Sequence, residues 1–250
     1  MTEIESNLSK LKVYKNFGII QIDNGKKNFI TEPEFVNLNI LKDWINQNHL
    51  LGIIICGNKS NFSYGADILT VQKTDECDDA LVIKLRKGRD LLDYIEEIPI
   101  VTIAAINGAC FGAGLEIALS CQFRIASRGC FLALPEINRG VIPGMGGCER
   151  CAKLIGREKT IEFCLLGELI SVEKACEIGM ITRITSEKPL DEAISFMEEI
   201  LDDTNELQVR SIIKNINEFS KTSGSDKDMA FVNCLRKSEL SLEKNKDERI

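Results

Sequence analysis

The sequence predicts an α/β protein. Apolar runs of strand length alternate with amphipathic stretches of helical period along most of the chain. The apolar runs are rich in β-branched residues and are punctuated by Gly, Asn and Pro. With 250 residues, 44% of them hydrophobic and 28% charged, the chain can bury one sizeable core. Alternation of this kind points to helices packed on a sheet rather than to separate all-α and all-β parts.

In chain order, Leu11 to Lys15 and Ile19 to Asp23 read as a hairpin turning around Asn16-Phe17-Gly18, followed by a loop at Asn24 to Lys27. Thr31 is placed to cap a helix with Pro33 in its first turn. Phe35, Leu38, Leu41, Trp44 and Ile45 carry that helix to near Asn48. Leu51 to Cys56 is an apolar strand stopped by Gly57-Asn58. In Asn61 to Ile68 (NFSYGADI) small residues converge, and Asp67 is placed to cap a turn at Ile68-Leu69; an ordinary surface loop explains the stretch equally well. Ala80 to Ile95 is an amphipathic helix. Ile100 to Ile106 is a buried strand that ends at the Asn107-Gly108 turn, after which Gly112-Ala113-Gly114 opens an apolar helix with Glu116 in its first turn.

Phe123 to Ser127 and Phe131 to Leu134 read as a second strand pair, ending at Glu136 directly after Pro135. Beyond Gly147 the pattern is helical: Cys148 to Ile155, Glu158 to Leu166, and Ser171 to Ile178, with Ser171 in a capping position. Met180 to Ile184 is a short strand. Leu190 to Leu201, Leu207 to Phe219 and Lys227 to Lys244 are helices, and Ser220 to Asp226 is the most linker-like segment.

Composition narrows the function. Thirty-one Lys and Arg against 38 Asp and Glu leave a net charge of −7, which argues against broad binding of nucleic acid or anionic membranes. The N-terminal MTEIESNLSK has no apolar signal-like stretch, and the uncharged run Ile98 to Leu115 is broken by Pro99, Asn107 and three glycines. Ten cysteines in such a chain are expected to be reduced core residues, and the location is expected to be cytoplasmic. A single histidine, His49 at an expected helix end, disfavours Ser-His-Asp and Cys-His mechanisms. Cys148 and Cys151 form a CxxC without a second CxxC or a histidine cluster, which favours packing over metal or redox work.

The chemical signal lies between Pro99 and Gly147. Helix N-termini present free N–H groups, and glycines let a ligand approach them. No GxxxxGK[ST] is present, so an oxyanion site fits better than a nucleotide phosphate loop. Two isolated acids, Glu116 and Glu136, stand beside it. Taken alone, Glu116 is as well explained by complementing the helix dipole, and Glu136 as a loop acid.

Four stretches together carry a resemblance: NFSYGADI at 61–68, AAINGACFGAGLEIALSC at 104–121, LPEINRGVIPGMGG at 134–147 and LGELISVEKACEIGMI at 166–181. In order and spacing they resemble the crotonase superfamily, the enoyl-CoA hydratase/isomerase family. The resemblance implies a spiral of ββα units over residues 1–190 and a C-terminal helical region over 191–250 that covers the pocket or makes a trimer contact. It implies a thioester substrate whose oxygen is held by the backbone N–H groups of Ala66 and Ala113. Only an N–H acts at that second position, so alanine can replace the family's usual glycine where φ is not positive. Glu116 would position and deprotonate water, and Glu136 would exchange the proton at the α-carbon. Tyr64, Gly65, Asp67, Ile68, Leu69, Gly112 and Gly140 would line the substrate site.

The implied reaction is hydration of a 2-enoyl thioester or its reverse. Isomerisation or another thioester reaction on the same oxyanion hole, and a non-catalytic binding role, are the alternatives. No separate cofactor or metal is expected, because coenzyme A or a carrier phosphopantetheine would be part of the substrate. A homotrimer or dimer of trimers is the implied assembly. Gln122 stands where relatives commonly carry Asp, Tyr64 where a small residue is usual, and the chain ends after KDER without the basic tail that helps hold the adenosine of coenzyme A. A carrier-tethered thioester, as in polyketide assembly, is therefore a second expected substrate form.

Overall fold

The computed structural model of the protein describes residues 3–67 and 78–217. Ile68, Leu69, the linker-like stretch at Ser220 to Asp226 and the helix expected from Lys227 lie outside the described residues.

Seven strands form one sheet in the order β1 (Ile4–Ser6), β2 (Ser9–Tyr14), β3 (Phe17–Ile22), β4 (Gly52–Cys56), β5 (Val101–Ile106), β7 (Phe123–Ser127) and β10 (Arg183–Thr185). The first three are antiparallel, and from β3 onward every neighbour is parallel. A second sheet joins β6 (Ala109–Phe111), β8 (Phe131–Ala133) and β9 (Ile170–Ser171). Eight α-helices lie among the described residues: α1 (Leu38–Gln47), α2 (Asp78–Glu97), α3 (Ala113–Ser120), α4 (Gly147–Ile155), α5 (Arg157–Leu166), α6 (Val172–Glu177), α7 (Pro189–Leu201) and α8 (Glu206–Asn217). None is long and apolar enough to cross a membrane.

The unbroken apolar character of β4 and β5 has a plain cause: parallel strands covered on both faces need hydrophobic side chains on both. Ile53 and Ile55 of β4, with Ala104 and Ile106 of β5, join the larger core beneath α1, α2 and α3. The alternate residues Ile54, Cys56, Val101, Ile103 and Ala105 join a second core closed by Ala193, Phe196, Met197 and Leu201 of α7 and Val209 of α8. The uncharged run from Ile98 is thus divided among β5, β6 and α3, and it is largely buried.

Local structure corrects several expectations. The first hairpin turns on Lys15-Asn16 alone, because Tyr14 pairs with Phe17 and Lys15 takes φ +53°. Phe17 is fully buried, and that burial draws it into the strand. Thr31 and Pro33 do not start a helix. Asn37 caps α1 instead, its side chain accepting from the N–H groups of Asn39 and Ile40 at 3.1 Å each. The stretch before it is a run of bends held by the turn between β1 and β2 and by the first residue of β2: the Phe35 carbonyl accepts from Leu8 N at 3.0 Å and Ser9 Oγ at 2.9 Å. Phe123–Ser127 and Phe131–Ala133 are not a pair, since β7 enters the large sheet and β8 the small one. The turn at Asn107-Gly108 leads into β6 before α3 begins, a strand too short for its periodicity to register. The strand expected over Met180 to Ile184 is shifted to Arg183–Thr185, because Met180 and Ile181 bury themselves in the core.

Gly18 shows how tightly α1 lies on the sheet. A Cβ there would stand 2.1 Å from Cη2 and 2.8 Å from Cζ3 of Trp44, which is buried. Gly18→Ala is therefore expected to lower the unfolding free energy by about 1–3 kcal/mol by overpacking. It should also red-shift the emission of Trp44, the chain's only tryptophan; unfolding in urea followed by that fluorescence measures both effects.

Candidate active site

The site begins where loop 61–67 runs alongside β6. Ser63 N donates to the Ala109 carbonyl at 2.9 Å, and Phe111 N donates to the Ser63 carbonyl at 2.9 Å, a short parallel bridge. This contact brings Gly65-Ala66 against Gly112-Ala113. Gly65 has φ +83°, and a Cβ there would lie 2.6 Å from the Phe111 carbonyl oxygen and 3.3 Å from Ala113 N. Only glycine allows that approach. Gly112 takes φ +49°, so the positive φ falls on Gly112 and Ala113 begins α3 with ordinary helical geometry. Alanine at 113 is thereby accommodated. Neither Ala66 N nor Ala113 N donates to a backbone acceptor among the described residues. Ala113 N also lies at the positive end of an α-helix.

Loop 61–67 is strapped from below by the segment after β3. Ser63 Oγ donates to the Asn28 carbonyl at 2.7 Å and accepts from Gly65 N at 2.9 Å. Asn28 is fully buried at φ +52°, and its amide donates to the Phe62 carbonyl at 2.7 Å and the Ile22 carbonyl at 3.1 Å. Ile30 N and Tyr64 N add bonds to the Gly65 and Lys27 carbonyls at 2.9 and 3.1 Å.

Glu116 projects from the first turn of α3 and is 2% exposed. Its Oε1 accepts from Met145 N and Gly147 N, both at 2.8 Å. Gly147 is small because a Cβ there would stand 2.9 Å from Glu116 Cγ. Burial pushes the Glu116 pKa up; the two N–H bonds, and then the charges of Arg150 and Arg89, oppose that rise. Arg150 also builds the loop. Buried, it donates to the Met145 carbonyl at 2.5 Å and to Glu96 at 2.8 Å, and it pairs with Asp93.

Glu136 opens a 3₁₀ turn, Glu136–Arg139, directly after β8. Its Oε1 lies 3.0 Å from the point a Cβ on Gly112 would occupy, so the carboxyl rests beside the Gly112-Ala113 backbone. Oε2 is buried and has no hydrogen-bond partner among the described residues. Burial lifts the Glu136 pKa to about 7; its own backbone N–H opposes the rise and the charge of Glu116 adds to it. A carboxyl with that proton affinity holds a proton about half the time at neutral pH.

The structure therefore gathers Gly65, Ala66, Gly112, Ala113, Glu116 and Glu136. Tyr64 stands beside them, 40% exposed, with its ring edge-on to Phe111 at 5.4 Å and Phe29 at 6.3 Å. Asp67 follows, half-buried. Gly140 lies at the exposed end of the Glu136 turn, at φ +69°, its N–H bonded to Ile137 O at 3.1 Å. His49 is exposed just beyond α1. Sequence reasoning missed the support: Met145 and Gly147 as donors, Arg150, Ser63 and Asn28. The glycines of PGMGG were a usable signal for a close backbone approach, whereas Asn28 sits in a polar loop with no signature.

Comparison with known proteins places the chain in a family. The profile of the enoyl-CoA hydratase/isomerase family matches residues 13–236. The fatty acid oxidation complex subunit alpha of Aliivibrio fischeri is 36% identical over 138 residues, which are 54% of this chain and only 20% of that protein. In fold, the enoyl-CoA hydratase of Geobacillus kaustophilus HTA426 superimposes with a TM-score of 0.84 at 24% identity, covering 98% of this chain and 96% of its own. A Thermobifida fusca YX protein solved in complex with CoA gives 0.78 at 21% identity, covering 95% of each chain. The helix-end amides, the glycines that expose them and the profile match over nearly the whole chain lead to one conclusion: the chain belongs to the enoyl-CoA hydratase/isomerase family and has the crotonase fold.

Proposed function

We propose that the site adds water across the double bond of a 2-enoyl thioester, or removes it from the 3-hydroxyacyl product. The observation that carries this reading is the pair of acids, Glu116 buried and Glu136 half-buried, beside one pair of backbone amides, with only Glu116 anchored. Glu116 is fixed by two N–H groups that favour its ionised form, which suits a base that orients water and takes its proton. Glu136, with a pKa of about 7 and an unpartnered Oε2, suits a group that gives a proton to the α-carbon and takes it back in the reverse direction. As the water oxygen bonds to the β-carbon, electron density moves onto the thioester oxygen. The N–H groups of Ala66 and Ala113 would stabilise that oxyanion before the proton from Glu136 completes the addition.

Coenzyme A is the favoured thioester carrier, because the family profile and the CoA-bound relative point the same way. An isomerase would need only Glu136 to move a proton between carbons. The anchored second acid is what favours hydration.

Loss of enone absorbance with crotonyl-CoA tests the reaction directly. Glu116→Gln and Glu136→Gln should each lower kcat by about 100- to 10,000-fold. Full hydration by both single variants would refute the assignment, and turnover of a 3-enoyl thioester without hydration of the 2-enoyl one would identify an isomerase. Gly147→Ala keeps an ordinary backbone but drives a methyl group into Glu116; circular dichroism should be unchanged while kcat falls by about 100-fold. The pH dependence should change direction with the reaction. Hydration uses protonated Glu136, so kcat/KM falls as pH rises through about 7; dehydration uses the ionised form, so kcat/KM rises through the same range. Both limbs should vanish in Glu136→Gln.

A further inference from the structure

The eight described cysteines are free thiols, five of them buried. Cys148 and Cys164 are only half-buried, and their sulfurs face each other at 3.8 Å. The CxxC spacing of Cys148 and Cys151 is thus not the relevant one: Cys151 is fully buried as packing, and the near partner of Cys148 comes from the neighbouring helix. Among the described residues, no group of three potential ligands converges in a metal-binding arrangement. The two sulfurs therefore form a dithiol.

Its position connects the two acids. Cys148 directly follows Gly147, whose N–H holds Glu116 at 2.8 Å. Cys164 lies on α5, which ends at Gly167; that residue's carbonyl accepts from Asn138 at 3.0 Å, within the turn that Glu136 opens. One sulfur sits on the support of each carboxylate.

We propose that Cys148 and Cys164 are a modification site, forming a reversible disulfide by exchange with a low-molecular-weight disulfide and thereby lowering turnover. Cys148 is the attacking sulfur, since its contact with Cys164 favours the Cys148 thiolate and disfavours that of Cys164. It loses its proton and bonds to one sulfur of the external disulfide, whose other sulfur departs and takes up that proton as a free thiol. Cys164 then attacks the Cys148 sulfur, expelling the second external sulfur, which takes the proton from Cys164. Two electrons and two protons pass from the protein to the external disulfide, leaving one S–S bond and two small thiols. Burial raises both protein thiols, with the carboxylates of Glu149, Glu116 and Glu136 adding to this at Cys148, and a smaller thiolate fraction slows the exchange. Bonding draws the sulfurs from 3.8 Å to about 2.05 Å, a displacement shared by α4 and α5 and passed to Gly147 N.

The loss of turnover rests on the hydration reading; the bond does not. The full chain is incubated with glutathione disulfide, digested without reduction and mapped by mass spectrometry, while hydration of crotonyl-CoA is followed in parallel. The expected result is a Cys148 peptide linked to a Cys164 peptide, lighter than their sum by two hydrogens. Hydration should fall by about 10- to 100-fold and return with dithiothreitol. Cys148→Ser and Cys164→Ser should match the reduced protein in rate and ignore the oxidant. Unlinked peptides, glutathione on each cysteine separately, links to other cysteines, or a link without loss of rate would each overturn the proposal. If the reduced protein hydrates nothing, the hydration reading fails while the peptide map still decides whether the bond forms.

Discussion

The site depends on how closely one loop lies against one short strand. Ser63 exchanges two backbone hydrogen bonds with β6, and this pairing sets Gly65 against the Phe111 carbonyl and Ala113 N. The approach leaves no room for a Cβ, so glycine at 65 is required both by space and by φ +83°. Once the pairing forms, the direction of two backbone N–H groups is set by main-chain geometry. Side-chain rotamers add nothing to it, and a site built this way needs little reorganisation when charge develops on a bound oxygen.

Burial of Glu116 has the opposite character, because it costs free energy that must be offset locally. A buried carboxylate without partners is penalised by several kcal/mol, whereas hydrogen bonds to a charged group contribute about 1.5–3 kcal/mol each. Met145 N and Gly147 N supply two such bonds, and Arg150 keeps their loop in place by holding the Met145 carbonyl. The offset is incomplete, since the Glu116 pKa remains raised. Glu136 receives less help, and burial lifts its pKa to about 7. Desolvation is the largest cause of the rise at both acids, and they differ in their N–H donors.

Legibility in the sequence followed the length and self-sufficiency of each signal. β4 is apolar over its five residues and β5 over its six apart from Thr102, and their strand character needed no tertiary information. The start of α3 was equally plain, because Gly-Ala-Gly and an early acid are local signals. β6 and β9 have three and two residues and exist only through their pairing, so no periodicity could reveal them, whereas β8 could be read as a strand but not assigned its partners. The false helix start at Thr31 shows the reverse case: a sound local capping pattern lost to Leu8 and Ser9, which hold the Phe35 carbonyl, and to the large core, which buries the side chains of Phe35 and Val36. At the site, the acids and amide-bearing residues could be read from four motifs. Arg150 and Asn28 could not, because their partners come from segments distant in the sequence.

The parallel register of the large sheet explains why these distant segments meet. The chain leaves the carboxyl end of β3 towards Asn28, that of β4 towards Ser63 to Ala66, that of β5 towards Gly112 and Glu116, and that of β7 towards β8 and Glu136. Adjacent parallel strands discharge their following loops on one side, so four consecutive neighbours deliver one element each to the same edge. The small sheet then binds those loops to one another: Gly112 N donates to the Ala133 carbonyl at 2.9 Å, just before the turn that carries Glu136. That single bond ties the Gly112-Ala113 backbone to the strand preceding Glu136. Their relative placement is therefore a property of the second sheet as much as of either loop.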